Sequence, residues 1–188
     1  MSTSEPPETR AVGMRVELCG THQAARLAIF AELTFRETFG ASNTPDDMRL
    51  HCEAHYGEAI QARELADPTM TTFIVEHDDA LIACLQLRQH AGKPNELEIQ
   101  RVYVDSAWHG AGIAPMLIRT ALDTARRAGA THVWLGVWEH NPRAIAFYRK
   151  HGFVDSGEHT FMLGTDRQRD VIMSRPLDEP ATDMIGER

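Results

Sequence analysis

A short turn with two glycines is the stretch of this sequence whose residue types best suit chemistry. It comprises His109, Gly110, Ala111, Gly112, Ile113 and Ala114, and a helical pattern follows it. The first N–H groups of a helix have no partner within the helix, and the helix dipole adds positive charge there. Because glycines remove side chains from the turn, an anion such as a phosphate can approach the main chain. A tight turn without any ligand is the alternative, and the glycines alone do not decide between the two.

Two nucleotide-binding motifs are excluded at this turn, and the rest of the chain does not indicate a metal site. The dinucleotide fingerprint needs glycine or alanine where the chain has Pro115, and no lysine follows the turn as a P-loop requires. His51 and His55 share a helical face, but no third ligand accompanies them, which favours a solvated helix surface. The three cysteines lie far apart and are interpreted as small core residues. We therefore predict no metal.

The composition of the chain is typical of one soluble domain. It has 188 residues, of which 43% are hydrophobic and 24% charged, and its formal net charge is −8. The negative charge argues against nucleic acid as a partner, because such binding depends on neutralising phosphates. No apolar run is long enough to cross a bilayer, and the N-terminus lacks the regions of a signal peptide. We expect a cytoplasmic protein that has no membrane partner.

The spacing of apolar residues predicts the elements that position the turn. Strands are predicted at 14–19, 71–77, 80–88, 97–104, 131–138, 152–161 and 171–175. Helices are predicted from Thr21, as the N-cap, to Phe39, from Thr44 to 56, and over 57–66, 113–128 and the segment after Asn141. Asp78 and Asp79 are expected to turn a hairpin. We predict a disordered lead-in at 1–12, one domain at 13–177 and a polar tail at 178–188.

Two motifs in a fixed order give the sequence a resemblance to a known family. The first is His109-Gly-Ala-Gly-Ile-Ala114, and the second is Asn141-Pro-Arg-Ala-Ile-Ala-Phe-Tyr148, followed by His151-Gly-Phe153. Together they resemble the GNAT family of N-acetyltransferases over residues 14–177. The segments 34–39, 97–104, 134–139 and 169–173 look, more narrowly, like the PaiA-type polyamine acetyltransferases. The resemblance implies a mixed α/β domain, with a central twisted, mostly antiparallel sheet of about seven strands and helices on both faces. Its parallel strands would be the pair joined by the helix after Gly112.

The resemblance implies acetyl-CoA as the donor of an acetyl group, which moves directly to the primary amine of a small molecule. It implies that the main chain of Val102, Tyr103 and Val104 pairs with the pantetheine arm of acetyl-CoA like an added strand. The turn at 109–114 would hold the pyrophosphate, and Asn141 would lie near the cofactor. Two departures from the family pattern predict weaker CoA binding, namely His109 in place of Gln or Arg and Pro115 in the first helical turn.

An amine acceptor requires proton transfers, for which the sequence offers three candidate residues, and the resemblance supports one of them, Tyr148. An alkyl ammonium has a pKa near 10.4, so a site must remove a proton before the nitrogen can attack. Glu98, on the strand that enters the turn, is the favoured base, and Glu139 is the alternative. Tyr148 would face the sulfur and give a proton to the departing thiolate. A salt-bridged strand residue for each glutamate and a core aromatic for Tyr148 are the structural alternatives.

The sequence leaves the acceptor open. A polyamine fits the narrower resemblance, and the loop at 35–47 with the last strands would wall its site. An antibiotic, an amino acid or a protein N-terminus is the alternative acceptor. An acyl-CoA-binding regulatory module without turnover is the alternative from another functional class. The oligomeric state is also open, with a homodimer among the options.

Overall fold

The computed structural model describes residues 13–177, so the lead-in expected at 1–12 and the tail expected at 178–188 lie outside the described residues. The described strands are β1 (Glu17–Leu18), β2 (Met70–His77), β3 (Ala80–Gln89), β4 (Glu96–Val104), β5 (His132–Trp138), β6 (Val154–Leu163) and β7 (Asp166–Pro176). The α-helices in this range are α1 (Ala24–Phe39), α2 (Pro45–His55), α3 (Glu58–Ala66), α4 (Ile113–Arg127) and α5 (Pro142–Lys150).

The seven strands form one sheet in the order β1-β2-β3-β4-β5-β7-β6. Neighbouring strands run antiparallel except for β4 and β5, which are parallel and are joined by α4. A parallel pair needs a long crossover connection, and a helix supplies it here. The predicted mixed α/β fold is confirmed. Its parallel strands are the pair joined by the helix after the glycine-containing turn, as predicted.

The parallel strands β4 and β5 separate soon after they meet. Their pairing covers Glu96 to Glu98 on β4 and His132 to Trp134 on β5. Farther along, β4 continues to pair with β3 as far as Val104, and β5 continues to pair with β7 as far as Trp138. The strands therefore diverge like the arms of a V, and within residues 13–177 no strand fills the space between their inner edges.

Helices cover both faces of the sheet, as neighbouring residues of β3 demonstrate. Leu85 belongs to a core with Leu117 and Ile118 of α4, whereas Cys84 packs with Leu27 of α1. Successive side chains of a strand point to opposite faces, so α4 and α1 lie on opposite sides. Burial of these apolar faces is the main favourable contribution to the stability of the fold.

Local sequence patterns predicted the turns correctly, but they predicted the start of α1 and the length of the first strand less accurately. Thr44 caps α2 by accepting a hydrogen bond from the N–H of Asp47, as predicted. Asp78 and Asp79 both have positive φ, which is the geometry of a two-residue hairpin turn. The prediction of Thr21 as an N-cap was wrong, because Thr21–Gln23 forms a short 3₁₀ turn that precedes α1. The first strand is also shorter than predicted and covers Glu17–Leu18 only.

None of the helices in residues 13–177 has the length and apolar character needed to span a bilayer.

Candidate active site

The inner edge of β4 after the point of separation is an unpaired main chain. Val102, Tyr103 and Val104 pair with β3 on one side, and the described chain provides no strand on the other. We call these three residues the open edge. The register between β3 and β4 shifts so that Gln100 has no partner, which is the pattern of a β-bulge. A bulge increases the local twist of a strand, so it helps to turn the open edge away from β5.

The glycine turn, residues 109–114, follows the open edge and leads into α4. Gly110 and Gly112 both have φ of 84°, a left-handed conformation that favours glycine. Within the described residues, no hydrogen bond occupies the N–H groups of Gly110, Gly112, Ile113 and Ala114. A Cβ at Gly112 would meet nothing within 4 Å, so the space in front of the turn is open. Such a cluster of free N–H groups at a helix start can bind an anion.

His109 turns back toward the strand that precedes it. Its Nε2 lies 3.0 Å from the carbonyl oxygen of Val104. A carbonyl oxygen only accepts hydrogen bonds, so Nε2 carries the proton and donates to Val104. The ring therefore joins the glycine turn to the open edge.

Helix α5, which follows β5, carries Asn141 and Tyr148. Asn141 is the N-cap of α5, and its side-chain oxygen accepts a hydrogen bond from the N–H of Ala144. Tyr148 packs against Phe153, with ring centroids 5.8 Å apart. Burial and the nearby phenol of Tyr103 raise the pKa of Tyr148, so it stays protonated at neutral pH. No hydrogen bond from its hydroxyl occurs within the described residues, which leaves this proton available.

The two predicted glutamates lie in different surroundings. Glu98 is the last residue of β4 that pairs with β5, and its Oε2 lies 2.6 Å from Nε2 of His90. The pair lies at the point where β4 and β5 separate. The side chain of Glu98 is 17% exposed, so its carboxylate is largely shielded from water. Glu139 instead lies beyond the end of β5 and accepts a hydrogen bond of 2.9 Å from Arg169. The two candidate bases therefore lie in different places, and Glu139 already has a cationic partner in Arg169.

Arg101, also on β4, ties the strand to α3 through a buried ion pair. Its guanidinium lies 2.6 Å from Glu64 and 2.7 Å from the side-chain oxygen of Gln86. Next to it, the hydroxyls of Tyr103 and Tyr56 are 2.6 Å apart, and burial raises the pKa of Tyr103 to about 12. These contacts hold the α1–α3 side of β4 in place, so the open edge has a rigid support. No sequence motif had indicated them.

A second surface lies on the α1–α3 side of β5, β7 and β6, where several side chains meet across the strands. Trp134, Gly136 and Trp138 alternate along β5 and therefore share one face. Asp170 of β7 pairs with Trp138, and His159 of β6 pairs with Asp170. We call these five residues the tryptophan face. Asp170 and His159 were not predicted as site residues, because only the strand register brings them beside the tryptophans.

A groove of about 640 Å³ opens beside the tryptophan face. Trp138 and His159 line it, together with Ser42 from the α1–α2 loop and Glu139. Asp47 fixes that loop region against the last strands, since its Oδ1 accepts hydrogen bonds of 2.7 and 2.8 Å from Thr165. The Thr44 hydroxyl also donates a hydrogen bond of 2.7 Å to Oδ2 of Asp47. This bond is the largest influence that lowers the pKa of Asp47, and the two bonds from Thr165 lower it further. Asp47 is therefore a structural anchor rather than a free carboxylate of the groove.

His51 of α2 belongs to an aromatic cluster. Its ring stacks on Phe35 at 4.5 Å between centroids, and it is 5% exposed. Burial is the largest influence that lowers the pKa of His51, to about 4, so the ring is neutral near pH 7. The solvated surface that the sequence favoured for this histidine is wrong, because α2 turns it toward the core.

Comparison with known proteins agrees with this geometry. Residues 31–153 match the family model described as "Acetyltransferase (GNAT) family". The chain is 34% identical over 149 residues to an uncharacterized N-acetyltransferase in the pepI 3' region of Lactobacillus delbrueckii subsp. lactis, covering 77% of this chain and 86% of that protein. It is also 34% identical over 113 residues to streptothricin acetyltransferase of Streptomyces lavendulae, covering 58% of this chain and 60% of the relative.

A solved structure shares the fold over nearly its whole length. PaiA N-acetyltransferase from Thermoplasma acidophilum, in complex with coenzyme A, has a TM-score of 0.74 to this chain at 18% identity. The match covers 87% of this chain and 99% of that protein. At this level of identity, the likeness establishes the shared fold only.

Proposed function

Because the chain belongs to the GNAT family of acetyltransferases and is therefore an acyltransferase that uses acetyl-CoA, we propose that its acceptor is the primary amine of a small molecule. The separation of β4 and β5 is the observation that carries this proposal. It leaves room for an extended ligand chain to lie along the open edge, and it brings the glycine turn to one end of that chain. We propose that the amine approaches from the groove, which begins at Trp138 at the end of β5.

The free main-chain groups fit acetyl-CoA. The open edge would pair with the pantetheine arm in the manner of an added strand, because its inner side has no strand partner in the described chain. The N–H groups of the glycine turn would hold the pyrophosphate, and the amide nitrogen of Asn141, which makes no hydrogen bond within residues 13–177, would face the cofactor. When bound, acetyl-CoA supplies a thioester whose acetyl group can pass to an amine.

Glu98 and Tyr148 are proposed to carry the two proton transfers. Glu98 would take a proton from the acceptor ammonium, with His90 holding its carboxylate in position. Tyr148 would donate its phenolic proton to the departing thiolate and be reprotonated afterwards; its raised pKa keeps the phenol protonated until the thiolate forms. Glu139 is the weaker candidate for the base, because its carboxylate is held by Arg169.

A polyamine is the acceptor class that we favour. The fold neighbour from Thermoplasma acidophilum is a PaiA enzyme, the branch that the segments at 34–39 and 97–104 resemble, and the net charge of −8 favours the approach of a cation. An antibiotic amine is the second candidate, and the similarity to streptothricin acetyltransferase supports it.

Thiol release is the direct test of this proposal. The protein is mixed with acetyl-CoA and a panel of amines that includes polyamines, monoamines, amino acids and streptothricin, and free CoA is measured with a thiol reagent. A thermal-shift titration with acetyl-CoA runs in parallel. We expect stabilisation by acetyl-CoA, and CoA release that depends on a small-molecule amine. Stabilisation without release for any amine would overturn the proposed acceptor and favour a module that only binds acyl-CoA.

A further inference from the structure

Two buried polar atoms without a partner lie on the tryptophan face. Within residues 13–177, Oδ1 of Asp170 and Nε1 of Trp134 are buried and make no hydrogen bond. Asp170 pairs with Trp138 across the sheet, and Trp134 lies on the same face of the same strand as Trp138. Buried polar groups are nearly always hydrogen-bonded, so an unpaired acceptor and an unpaired donor on one face need an explanation. A cationic ligand at Asp170 would provide the partner that its carboxylate lacks.

The Asp170 carboxylate has no cation at hydrogen-bonding distance. Asp170 is 8% exposed, and its ion-pair contact in the described chain is Nε2 of His159, 3.8 Å from Oδ2, which is too far for a hydrogen bond. Its neighbour Arg169 is occupied by Glu139 and Glu158. Burial raises the pKa of Asp170, because a buried carboxylate without a partner is unfavourable when charged. A cationic ligand would remove this penalty.

The His159 ring lies over Gly136 and beside the Asp170 carboxylate, on the face that carries the two tryptophans. Gly136 is exposed, and a Cβ at this position would lie 2.7 Å from the His159 ring and 3.2 Å from Oδ2 of Asp170. Any side chain here would therefore occupy the space over Asp170. The His159 side chain is 39% exposed, so a turn of its ring opens the carboxylate to solvent. Indole rings on either side suit an alkyl chain that carries a positive charge.

The position of Asp170 in the sheet separates it from the reacting centre. It lies on β7, next to β5, and β5 in turn is the neighbour of β4 up to the point where these two strands separate. At a strand spacing of about 4.8 Å, Asp170 is at least about 10 Å from the open edge. We propose that Asp170 binds a second ammonium group of the acceptor, whose alkyl chain crosses Gly136 to bring the reacting nitrogen to the open edge. The preferred acceptors are then diamines and polyamines, an inference that rests on the proposed function.

Matched pairs of substrates and variants test this inference. The kcat/KM of the wild-type protein is measured with α,ω-diamines, spermidine and monoamines of the same chain lengths. We expect diamines to exceed the matching monoamines by about 10- to 100-fold, the value of a hydrogen bond between charged groups. Asp170→Asn keeps the shape of the side chain and should remove this preference without changing the Kd of acetyl-CoA. Asp123→Asn removes the same charge from the exposed surface of α4 and should leave the preference intact.

Gly136→Ala is the second variant, and it does not depend on how Asp170→Asn folds. Its methyl group should displace the His159 ring and take up space beside Oδ2 of Asp170, and so reduce kcat/KM for diamines more than for monoamines. Equal values for diamines and monoamines in the wild-type protein would overturn the inference while the proposed function stands. A fall in the kcat/KM of Asp170→Asn that is the same for diamines and for monoamines would also overturn the inference while the proposed function stands. No CoA release from the wild-type protein with any amine would overturn both.

Discussion

The two halves of the site are built from different parts of the chain. On the cofactor side, the open edge and the glycine turn present main-chain groups, and two glycines at φ of 84° keep them exposed. On the tryptophan face, side chains from β5, β6 and β7 converge, and Asp170 and Trp134 keep buried polar atoms that have no hydrogen-bond partner in the described part of the chain. The open edge and the glycine turn can bind a ligand through main-chain N–H groups, which every residue except proline has. Binding at the tryptophan face would depend on the identity of each side chain.

This difference explains how one fold can keep its donor and change its acceptor. Replacing a side chain near the glycine turn leaves most of its N–H groups in place, which is why His109 and Pro115 are compatible with an anion site. Replacing Gly136 or Asp170 changes the shape or charge of the tryptophan face directly. We therefore expect variants on the two sides to separate cofactor affinity from acceptor selectivity. The four predictions that follow test that separation, from the largest expected effect to the smallest.

Tyr148 is proposed to act in the proton transfer alone, so its loss should affect the reaction and neither binding step. Tyr148→Phe removes a proton donor that makes no hydrogen bond within residues 13–177, and it preserves the packing against Phe153. We expect kcat to fall by roughly 100- to 1,000-fold, the range for a general acid. The Kd of acetyl-CoA, measured by calorimetry, should stay within about threefold.

The control for this prediction is another buried tyrosine. Tyr56→Phe removes a hydroxyl that lies 2.6 Å from the hydroxyl of Tyr103. It should lower the free energy of unfolding by about 1 kcal/mol and leave kcat nearly unchanged. An equal loss of turnover and of acetyl-CoA affinity in Tyr148→Phe would rule out the role as proton donor.

The contribution of Glu98 to kcat/KM should be largest at a pH where the acceptor amine is still protonated and needs a base. In Glu98→Gln we expect kcat/KM for the amine to fall by about 100-fold at pH 7. The deficit should shrink as the pH approaches 10, because the amine then becomes neutral without a base. The measurement is a pH profile of kcat/KM, with Glu96→Gln on the same strand as a control that keeps the wild-type profile. A deficit that is constant with pH would show that Glu98 is structural.

The glycine turn should respond through affinity for the cofactor. Gly112→Ala and Gly129→Ala lie at opposite ends of α4, both at positive φ, and neither added methyl group meets an atom within 4 Å. Both should lose about 1–2 kcal/mol of stability from left-handed strain. Only Gly112→Ala should also weaken acetyl-CoA binding, by about tenfold, because its methyl group stands where the anion approaches. Equal affinities in the two variants would contradict an anion site at the turn.

The sequence was informative where function depends on local geometry. The glycines of the turn, the cap at Thr44 and the helix that joins the parallel strands are encoded within a few residues, so their spacing predicted them. The contact between Glu98 and His90 was not predicted, since it depends on how β3 and β4 align. Asp170 and His159 were missed for a stronger reason. β7 lies between β5 and β6 in the sheet, and no local pattern specifies that order or its register.

Asp170 also gives the smallest prediction, which concerns stability without any ligand. Because burial raises the pKa of Asp170, the folded protein holds this proton more tightly than the unfolded chain does. Unfolding then releases the proton in the window between the ordinary aspartate pKa, near 3.9, and the raised folded value. The contribution of the neutral carboxyl is fully present below that window and is lost as the pH rises through it.

Asp170→Asn should therefore be more stable than the wild type at pH 7 and equal to it near pH 4. Urea unfolding at the two pH values measures the difference. Asp123→Asn, which removes an exposed carboxylate on α4, should show no such gain. If Asp170→Asn were less stable at pH 7, the carboxylate would have a structural partner and no need of a ligand. A gain in stability with a loss of diamine preference would instead mean that the tryptophan face keeps an unfavourable charge for the acceptor.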